Sequence, residues 1–81
     1  MNEDQIKNTI IESFRKIAPE ADFTNLSPNQ DLRRTFDIDS YDFLNVIIGI
    51  NDALGVDIPE SDYGKLKTLS DMLKYLAERV S

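Results

Sequence analysis

The sequence predicts a small all-α domain, an antiparallel bundle of three main helices plus one short helix, with a long loop between the first and second helices. Two observations predict this fold. Apolar residues recur at helical spacing in separate segments, and the main segments begin at residues that commonly cap helices. The chain has 81 residues, which is enough for one domain over residues 1–81 and one hydrophobic core.

The first helix is predicted over about residues 3–18. Asn2 and Gln5 have the spacing of a capping box, in which side chains satisfy free backbone N–H groups at a helix start. Apolar residues then recur at helical spacing until Pro19 ends the pattern. They are Ile6, Ile10, Phe14 and Ile17.

The segment from Pro19 to Asp39 is predicted to be a loop because it is rich in turn-forming residues. Scattered apolar side chains should anchor this loop on the core. They are Phe23, Leu26, Leu32 and Phe36. A loop of about twenty residues is unusual in a compact domain and is more often functional than not.

The second helix is predicted from Asp39, a favourable N-cap residue, to about Leu54, just before Gly55. Its apolar residues extend nearly around the helix, which indicates either a buried central helix or one with an apolar face left for a partner. We expect one stripe of Leu44, Ile47, Ile48 and Leu54, widened by Phe43, Val46 and Ile50. The β-branched run at 46–48 also suits a strand, but the caps at both ends favour a helix.

Two further helical segments follow. Pro59 favours a short helical turn through about Leu66, which Gly64 weakens. The last helix should begin after Thr68, with Asp71 at the spacing of a capping box. Its apolar stripe is Leu69, Met72, Leu73, Leu76 and Val80.

Composition argues against several functions. The net charge of −6 argues against binding duplex nucleic acid, whose phosphates require Lys and Arg. No apolar run is long enough for a transmembrane segment, and the acidic start does not resemble a signal peptide, so we expect a cytoplasmic protein. The chain lacks both His and Cys, which argues against a self-contained enzyme and against a metal site.

A serine lies at the predicted start of the second helix, in the segment Asp39-Ser40-Tyr41-Asp42. Free backbone N–H groups at a helix start can hold a phosphate. Because no His or Cys is present to activate the hydroxyl, we expect Ser40 to be modified by another enzyme rather than to attack a substrate.

In its context this segment resembles the acyl carrier protein family. Residues 39–43 are similar to the family's Asp-Ser-Leu-Asp-Phe attachment motif, and residues 54–59 resemble the segment that leads to an Ile-Pro pair. The similarity runs from Leu32 to about Leu76. The resemblance implies a carrier that is not an enzyme, bearing 4′-phosphopantetheine that a phosphopantetheinyl transferase moves from coenzyme A to Ser40. Acyl groups would then be held as thioesters.

The resemblance also implies roles for residues around Ser40. Recognition by the transferase and by acyl-loading and acyl-processing enzymes, through basic or apolar docking surfaces, is expected at Asp39, Tyr41, Asp42, Asn45 and Asp52. An acyl pocket or contacts to the arm are expected at Ile47, Ile50, Ile58, Tyr63 and Leu66. These five also have simpler explanations, as core residues or, for Tyr63, as a half-buried surface side chain. We expect a monomer.

Departures from the family pattern favour a specialised carrier. Asp37 stands where the family usually has Gly, Tyr41 replaces Leu or Met, and Tyr63 replaces a small Ala. Positions that are commonly glutamate on the second helix hold Asn45, Asn51 and Ala53, and only Asp52 is acidic. The pathway stays open between fatty-acid, polyketide and related lipid biosynthesis.

Several alternatives remain open from the sequence. Arg33 and Arg34 either contact the phosphate of the arm or of coenzyme A, or form a solvated pair, and the second interpretation is preferred. The chain is alternatively a peptidyl or aminoacyl carrier, or a helical interaction module without a prosthetic group.

Overall fold

The computed structural model describes residues 2–80. In chain order the helices are α1 (Glu3–Ile17), α2 (Leu32–Thr35), α3 (Ser40–Leu54), a 3₁₀ helix (Glu60–Lys65) and α4 (Leu69–Arg79). The only β-type pairing among these residues is an isolated bridge between Asp31 and Thr68. The predicted all-α fold with three main helices is therefore confirmed. Within the described range, no helix has the length and apolar character needed to cross a membrane.

The helix starts follow from local capping. The Asn2 side chain accepts a hydrogen bond from the Gln5 backbone N–H, and the Gln5 side chain accepts one from the Asn2 N–H, both at 2.9 Å. This is the predicted capping box. Thr68 Oγ1 accepts a hydrogen bond from the Asp71 N–H at 3.0 Å and caps α4. These bonds satisfy N–H groups that have no partner inside a helix, which explains why the predicted starts match the structure.

The loop between α1 and α3 contains α2, a short helix that the sequence did not predict. The Asp31 side chain caps it by accepting a hydrogen bond from the Arg34 N–H at 3.1 Å. Four residues are too few to show an apolar period, so the pattern gave no signal for this helix. The backbone N–H of Leu32 donates to Lys67 O, and that of Ser70 donates to Pro28 O, each at 2.9 Å. These bonds attach the loop to the start of α4.

The predicted loop anchors contact the core. Phe23 and Leu32 are buried, and Leu26 and Phe36 are partly buried against the core. The rings of Phe23 and Phe36 lie 4.7 Å apart, and the Phe36 ring lies 6.3 Å from that of Phe14 on α1. These aromatic contacts hold a long connection against the bundle.

The centre of the core is one side of α3. Its inward side chains are almost completely buried: Phe43, Val46, Ile47 and Ile50. Two members of the expected apolar stripe, Leu44 and Ile48, are instead 41% and 47% exposed. Both therefore lie on a side of α3 that the other described segments cover only in part. The helix therefore has an apolar outer face, as in the second of the two interpretations above.

The 3₁₀ helix is fastened to α4 by side chains. The Tyr75 hydroxyl donates to Asp62 Oδ2 at 2.5 Å, and the Lys65 and Arg79 cations lie 3.2 and 3.7 Å from Asp62 oxygens. The hydrogen bond from Tyr75, followed by that from Lys65, lowers the pKa of Asp62 below its ordinary value. Burial, and then the bond to Asp62, raises the pKa of Tyr75. Pro59 precedes this helix as its N-cap and is not within its first turn.

Candidate functional site

Ser40 is exposed and occupies the first position of α3. Asp39 has extended backbone angles, and its side chain accepts a hydrogen bond from the Asp42 N–H at 2.8 Å. The N–H groups of Ser40 and Tyr41 precede the first intrahelical bond and therefore have no partner within α3. Together with the helix dipole, such N–H groups favour an anion at this position.

A tight turn sets the direction from which the chain enters α3. The Ile38 N–H donates to Arg33 O at 2.8 Å, and the Asp37 N–H donates to Arg34 O at 3.4 Å. This pair of bonds is the Schellman motif that ends many helices, here α2. The motif requires a left-handed residue, and Asp37 adopts it with φ of 52°. The family's usual Gly at this position is therefore replaced by an Asp in the backbone conformation that Gly favours.

Arg33 lies beside Ser40. Its Nη2 donates to Ser40 Oγ at 3.3 Å, and its Nε donates to Ile38 O at 3.4 Å. Its guanidinium carbon lies 4.9 Å from the centre of the Phe43 ring. Arg33 is half-buried, whereas Arg34 is exposed. The structure thus separates two arginines that the sequence could only treat as a pair.

A groove of about 360 Å³ lies next to Arg33, between the loop and the 3₁₀ helix. Its lining includes Arg33, Arg34, Ile38, Tyr63, Leu66 and Lys67. Tyr63 packs edge-on against Phe43, with ring centres 5.7 Å apart. Of the five residues expected to line an acyl pocket, two therefore border a groove near Ser40. Ile47, Ile50 and Ile58 do not line this groove and are packed in the core, at 0%, 0% and 3% exposure. Leu66 also belongs to the core, with 1% of its surface exposed.

The residues expected to meet partner enzymes lie at the start and along the outside of α3. Asp39, Tyr41 and Asp52 are exposed, and Asp42 and Asn45 are half-buried. The Asn45 side chain donates to Tyr41 O at 3.2 Å.

Of the apolar side chains on this side, Tyr41 was expected to meet partner enzymes, whereas Leu44 and Ile48 were not among the expected site residues. We call Tyr41, Leu44, Ile48 and Asp52 the outer face of α3. Tyr41, Leu44 and Ile48 are the large hydrophobic side chains exposed within residues 2–80. Their spacing of three and four residues was the available signal, because it defines a second apolar stripe beside the one that the core needs.

The site fits a covalently held phosphate. It offers an exposed hydroxyl, free N–H groups and a guanidinium, all next to Ser40. The carboxylates of Asp37, Asp39 and Asp42 lie close in sequence and oppose an added anion, but these groups are exposed or half-buried and well screened. Across the part of the chain that the structure describes, no group of three or more carboxylates is arranged to hold a metal ion.

Comparisons with known proteins agree with this geometry. Residues 8–76 match the family model described as "Phosphopantetheine attachment site". The chain is 29% identical over 72 residues to an acyl carrier protein of Lactobacillus acidophilus, covering 89% of the chain and 84% of that protein. It is 42% identical over 43 residues to an acyl carrier protein of Rickettsia prowazekii, covering 53% of the chain and 50% of that protein.

Solved structures show the same fold. The solution structure of a candidate acyl carrier protein from Anaplasma phagocytophilum is similar with a TM-score of 0.83 and 27% identity, covering 100% of this chain and 94% of that one. A second similar structure is an acyl carrier protein that donates acetyl, solved with the HMG synthase of the curacin biosynthetic pathway. Its TM-score is 0.78 at 26% identity, with 96% and 99% of the two chains covered. Acyl carrier proteins are carriers rather than enzymes, and their prosthetic group is phosphopantetheine. The chain belongs to the acyl carrier protein family.

Proposed function

We propose that this carrier holds acyl intermediates as thioesters on a 4′-phosphopantetheine arm attached to Ser40. The exposed Ser40 hydroxyl at the start of α3, within the segment that matches the family model, carries this proposal. A phosphopantetheinyl transferase joins Ser40 Oγ to the pyrophosphate phosphorus of coenzyme A that bears the pantetheine group. The bond from that phosphorus to the adenosine bisphosphate breaks, and the hydroxyl proton leaves to the transferase. Once attached, the arm supplies a terminal thiol for the acyl group.

The residues of the chain present and stabilise the attachment point. Asp39 caps α3 and holds its first turn, so the Ser40 hydroxyl projects into solvent. The dipole of α3, equivalent to about half a positive charge at this end, favours the added phosphate. Repulsion from Asp39 and Asp42 is screened at the surface and amounts to roughly tenths of a kcal/mol. Ser40 is a tether in this proposal, and the acyl chemistry belongs to partner enzymes.

Partner enzymes are proposed to dock on the outer face of α3 and on the first turn that carries Ser40. The exposed side chains of Tyr41, Leu44 and Ile48 make this face apolar. Asn45 and Ala53 cannot provide the long-range attraction that glutamates would provide, so apolar contact should contribute more than charge. We propose a specialised carrier in fatty-acid, polyketide or related lipid biosynthesis, and a cytoplasmic monomer.

An acyl chain is proposed to enter between α3 and the 3₁₀ helix, against Ile47, Ile50, Ile58, Tyr63 and Leu66. Because Ile47, Ile50 and Ile58 are packed in the core, entry requires the 3₁₀ helix to move away from α3. Loading acyl groups of increasing length onto the modified carrier tests this. If the chain is buried, Tm should rise with chain length, since each CH₂ transferred from water contributes about 0.8 kcal/mol. A Tm that does not depend on chain length would contradict burial.

Modification by a broad-range transferase with coenzyme A and Mg²⁺ tests the attachment site. Intact-mass analysis should show one added phosphopantetheine on the wild type and none on Ser40→Ala. Ser61→Ala is the matched control, because Ser61 is another exposed serine in the first turn of a helical segment, and this variant should be modified normally.

Two results would refute the proposal. A wild-type chain that stays unmodified with several transferases would contradict the function itself. A Ser40→Ala variant that is still modified would show that another residue is the attachment site. The alternative of an interaction module without a prosthetic group lacks support, because the match to the phosphopantetheine family covers residues 8–76.

A further inference from the structure

We infer that Arg33 binds the phosphodiester on Ser40 and so holds the base of the arm beside the groove lined by Tyr63 and Leu66. This inference rests on the proposed attachment at Ser40. Neither the family match nor the names of the relatives assign a role to Arg33.

The guanidinium of Arg33 is already placed at the attachment point. Its Nη2 reaches Ser40 Oγ at 3.3 Å, from a position seven residues earlier in the chain. The atom that it contacts is the one through which the phosphate would be linked. A non-bridging phosphate oxygen lies one bond beyond that linkage and is therefore within reach of the same guanidinium.

The side chain of Arg33 is held in place from several directions. Its Nε donates to Ile38 O, and its own carbonyl accepts from the Ile38 N–H, so that two hydrogen bonds join the same pair of residues. The guanidinium also lies over the ring of Phe43, which is 1% exposed. An arginine already fixed on one side loses less conformational entropy when it binds an anion than a free side chain would.

Modification would change the acceptor from a neutral hydroxyl to an anion. The present bond to Ser40 Oγ, at 3.3 Å, is at the long end for a hydrogen bond. Hydrogen bonds from a guanidinium to a phosphate oxygen are shorter and roughly twice as strong as neutral ones. The cation also offsets the carboxylates of Asp37, Asp39 and Asp42, which surround Ser40 in the sequence. The contact should therefore stabilise the modified protein more than the unmodified one.

The neighbouring cations are placed differently. Arg34 and Lys67 line the groove but are exposed, and the contact to Ser40 Oγ comes from Arg33. Because Arg33 both lines the groove and reaches Ser40, its contact would direct the base of the arm toward Tyr63 and Leu66. The arm would then leave the outer face of α3 free for a docked enzyme.

The experiment compares wild type, Arg33→Gln and Arg34→Gln, each before and after complete modification, verified by intact mass. The quantity measured is the change in Tm on modification. In Arg33→Gln this change should be lower than in the wild type by about 2–4 °C at low salt, as expected for one surface charge pair in a domain of this size. Arg34→Gln removes the same charge from a neighbouring position and should differ from the wild type by less than about 1 °C. Arg33→Lys should restore part of the difference.

A second readout is NMR, applied to the wild type and to the two glutamine variants. The Arg33 Nε–H signal in the NMR spectrum should shift on modification, while the Arg34 signal should not. The ³¹P signal of the modified protein should shift in Arg33→Gln and remain in place in Arg34→Gln. High salt should reduce the Tm difference between the variants.

The outcomes separate this inference from the proposed function. A normally modified wild type with an unchanged Arg33 signal, or equal Tm effects for Arg33→Gln and Arg34→Gln, would overturn the role of Arg33 alone. A wild type that is not modified at Ser40 would overturn the attachment, and the role of Arg33 with it.

Discussion

Replacing Asp37 with Gly and with Ala tests the turn that leads into Ser40. Asp37 has φ of 52°, in the left-handed region. Glycine adopts this conformation freely, whereas alanine places its Cβ too close to the following carbonyl oxygen. Both replacements remove the same carboxylate, so comparing the two variants with each other cancels the loss of charge. We expect Asp37→Gly to be more stable than Asp37→Ala.

The expected difference follows from two opposing effects. A left-handed L-residue is less stable than a right-handed one by about 1–2 kcal/mol. Glycine also gives the unfolded chain more freedom, which lowers the advantage of the Gly variant by about 0.4–1 kcal/mol. The middle of each range leaves a difference of about 0.8 kcal/mol in the free energy of unfolding, in favour of Asp37→Gly. This corresponds to a higher Tm by roughly 2–8 °C for a domain of this size.

Gly49 provides a matched control, because alanine should be favoured over glycine at this position. It lies inside α3, where alanine is favoured over glycine by about 0.5–1 kcal/mol. An added Cβ would lie 3.4 Å from Ser13 Oγ on α1, which is close to an ordinary contact distance. Gly49→Ala should therefore be neutral or stabilising, at the low end of that range. Urea denaturation of all four proteins, analysed as two-state transitions, measures these differences.

The reasoning fails if alanine at position 37 is as stable as glycine there. That result would mean that residue 37 is not left-handed in solution, and the Schellman turn described before Ser40 would be wrong. The result at position 49 shows whether the assay can detect a preference for alanine over glycine in the same protein.

Three further perturbations give distinct outcomes. Asp39→Ala should lower the free energy of unfolding, measured in urea, by about 1 kcal/mol because it removes the N-cap of α3. Asn is also a good N-cap, so an equally large loss in Asp39→Asn would contradict capping as the cause. Tyr75→Phe should weaken the pH dependence of Tm in acid, because the hydrogen bond from Tyr75 lowers the pKa of Asp62 in the folded protein. The contribution of Asp62 is present above the pKa of this carboxyl in the unfolded chain and is lost as the pH falls through the lower folded pKa. A Tm profile identical to the wild type would show that the bond to Asp62 has no such effect. Leu44→Ser and Ile48→Ser remove partly buried apolar side chains, so each should lower the free energy of unfolding by roughly 1 kcal/mol. Each should also weaken binding of a partner enzyme measured by calorimetry, and unchanged binding would exclude the outer face of α3 as the docking surface.

The helices could be predicted because their signals are local. The side chains of Asn2 and Thr68 cap N–H groups three residues away, and that spacing is visible in the sequence. The four-residue helix α2 has no such period, and its formation depends on Leu32 being buried in a core built by other segments. The motif around Ser40, the proposed attachment residue, was visible for the same reason as the caps, because it lies within a few consecutive residues.

The contacts around the site could not be predicted. Asp62 and Tyr75 are thirteen residues apart, and neither carries a pattern that indicates their hydrogen bond. Arg33 and Arg34 look equivalent in the sequence. Only the turn through Asp37 brings one of them to Ser40 and leaves the other in solvent.

The sequence by itself determined the helical class, the helix starts at Asn2, Asp39 and Thr68, and the family, because capping and motif spacing act over a few residues along the chain. Tertiary structure alone decided that Leu44 and Ile48 face solvent and that Arg33 reaches Ser40. Both depend on how distant segments pack. Which side of α3 is buried depends on the segments that pack against it. The identity of an apolar residue does not indicate whether such a segment will cover it.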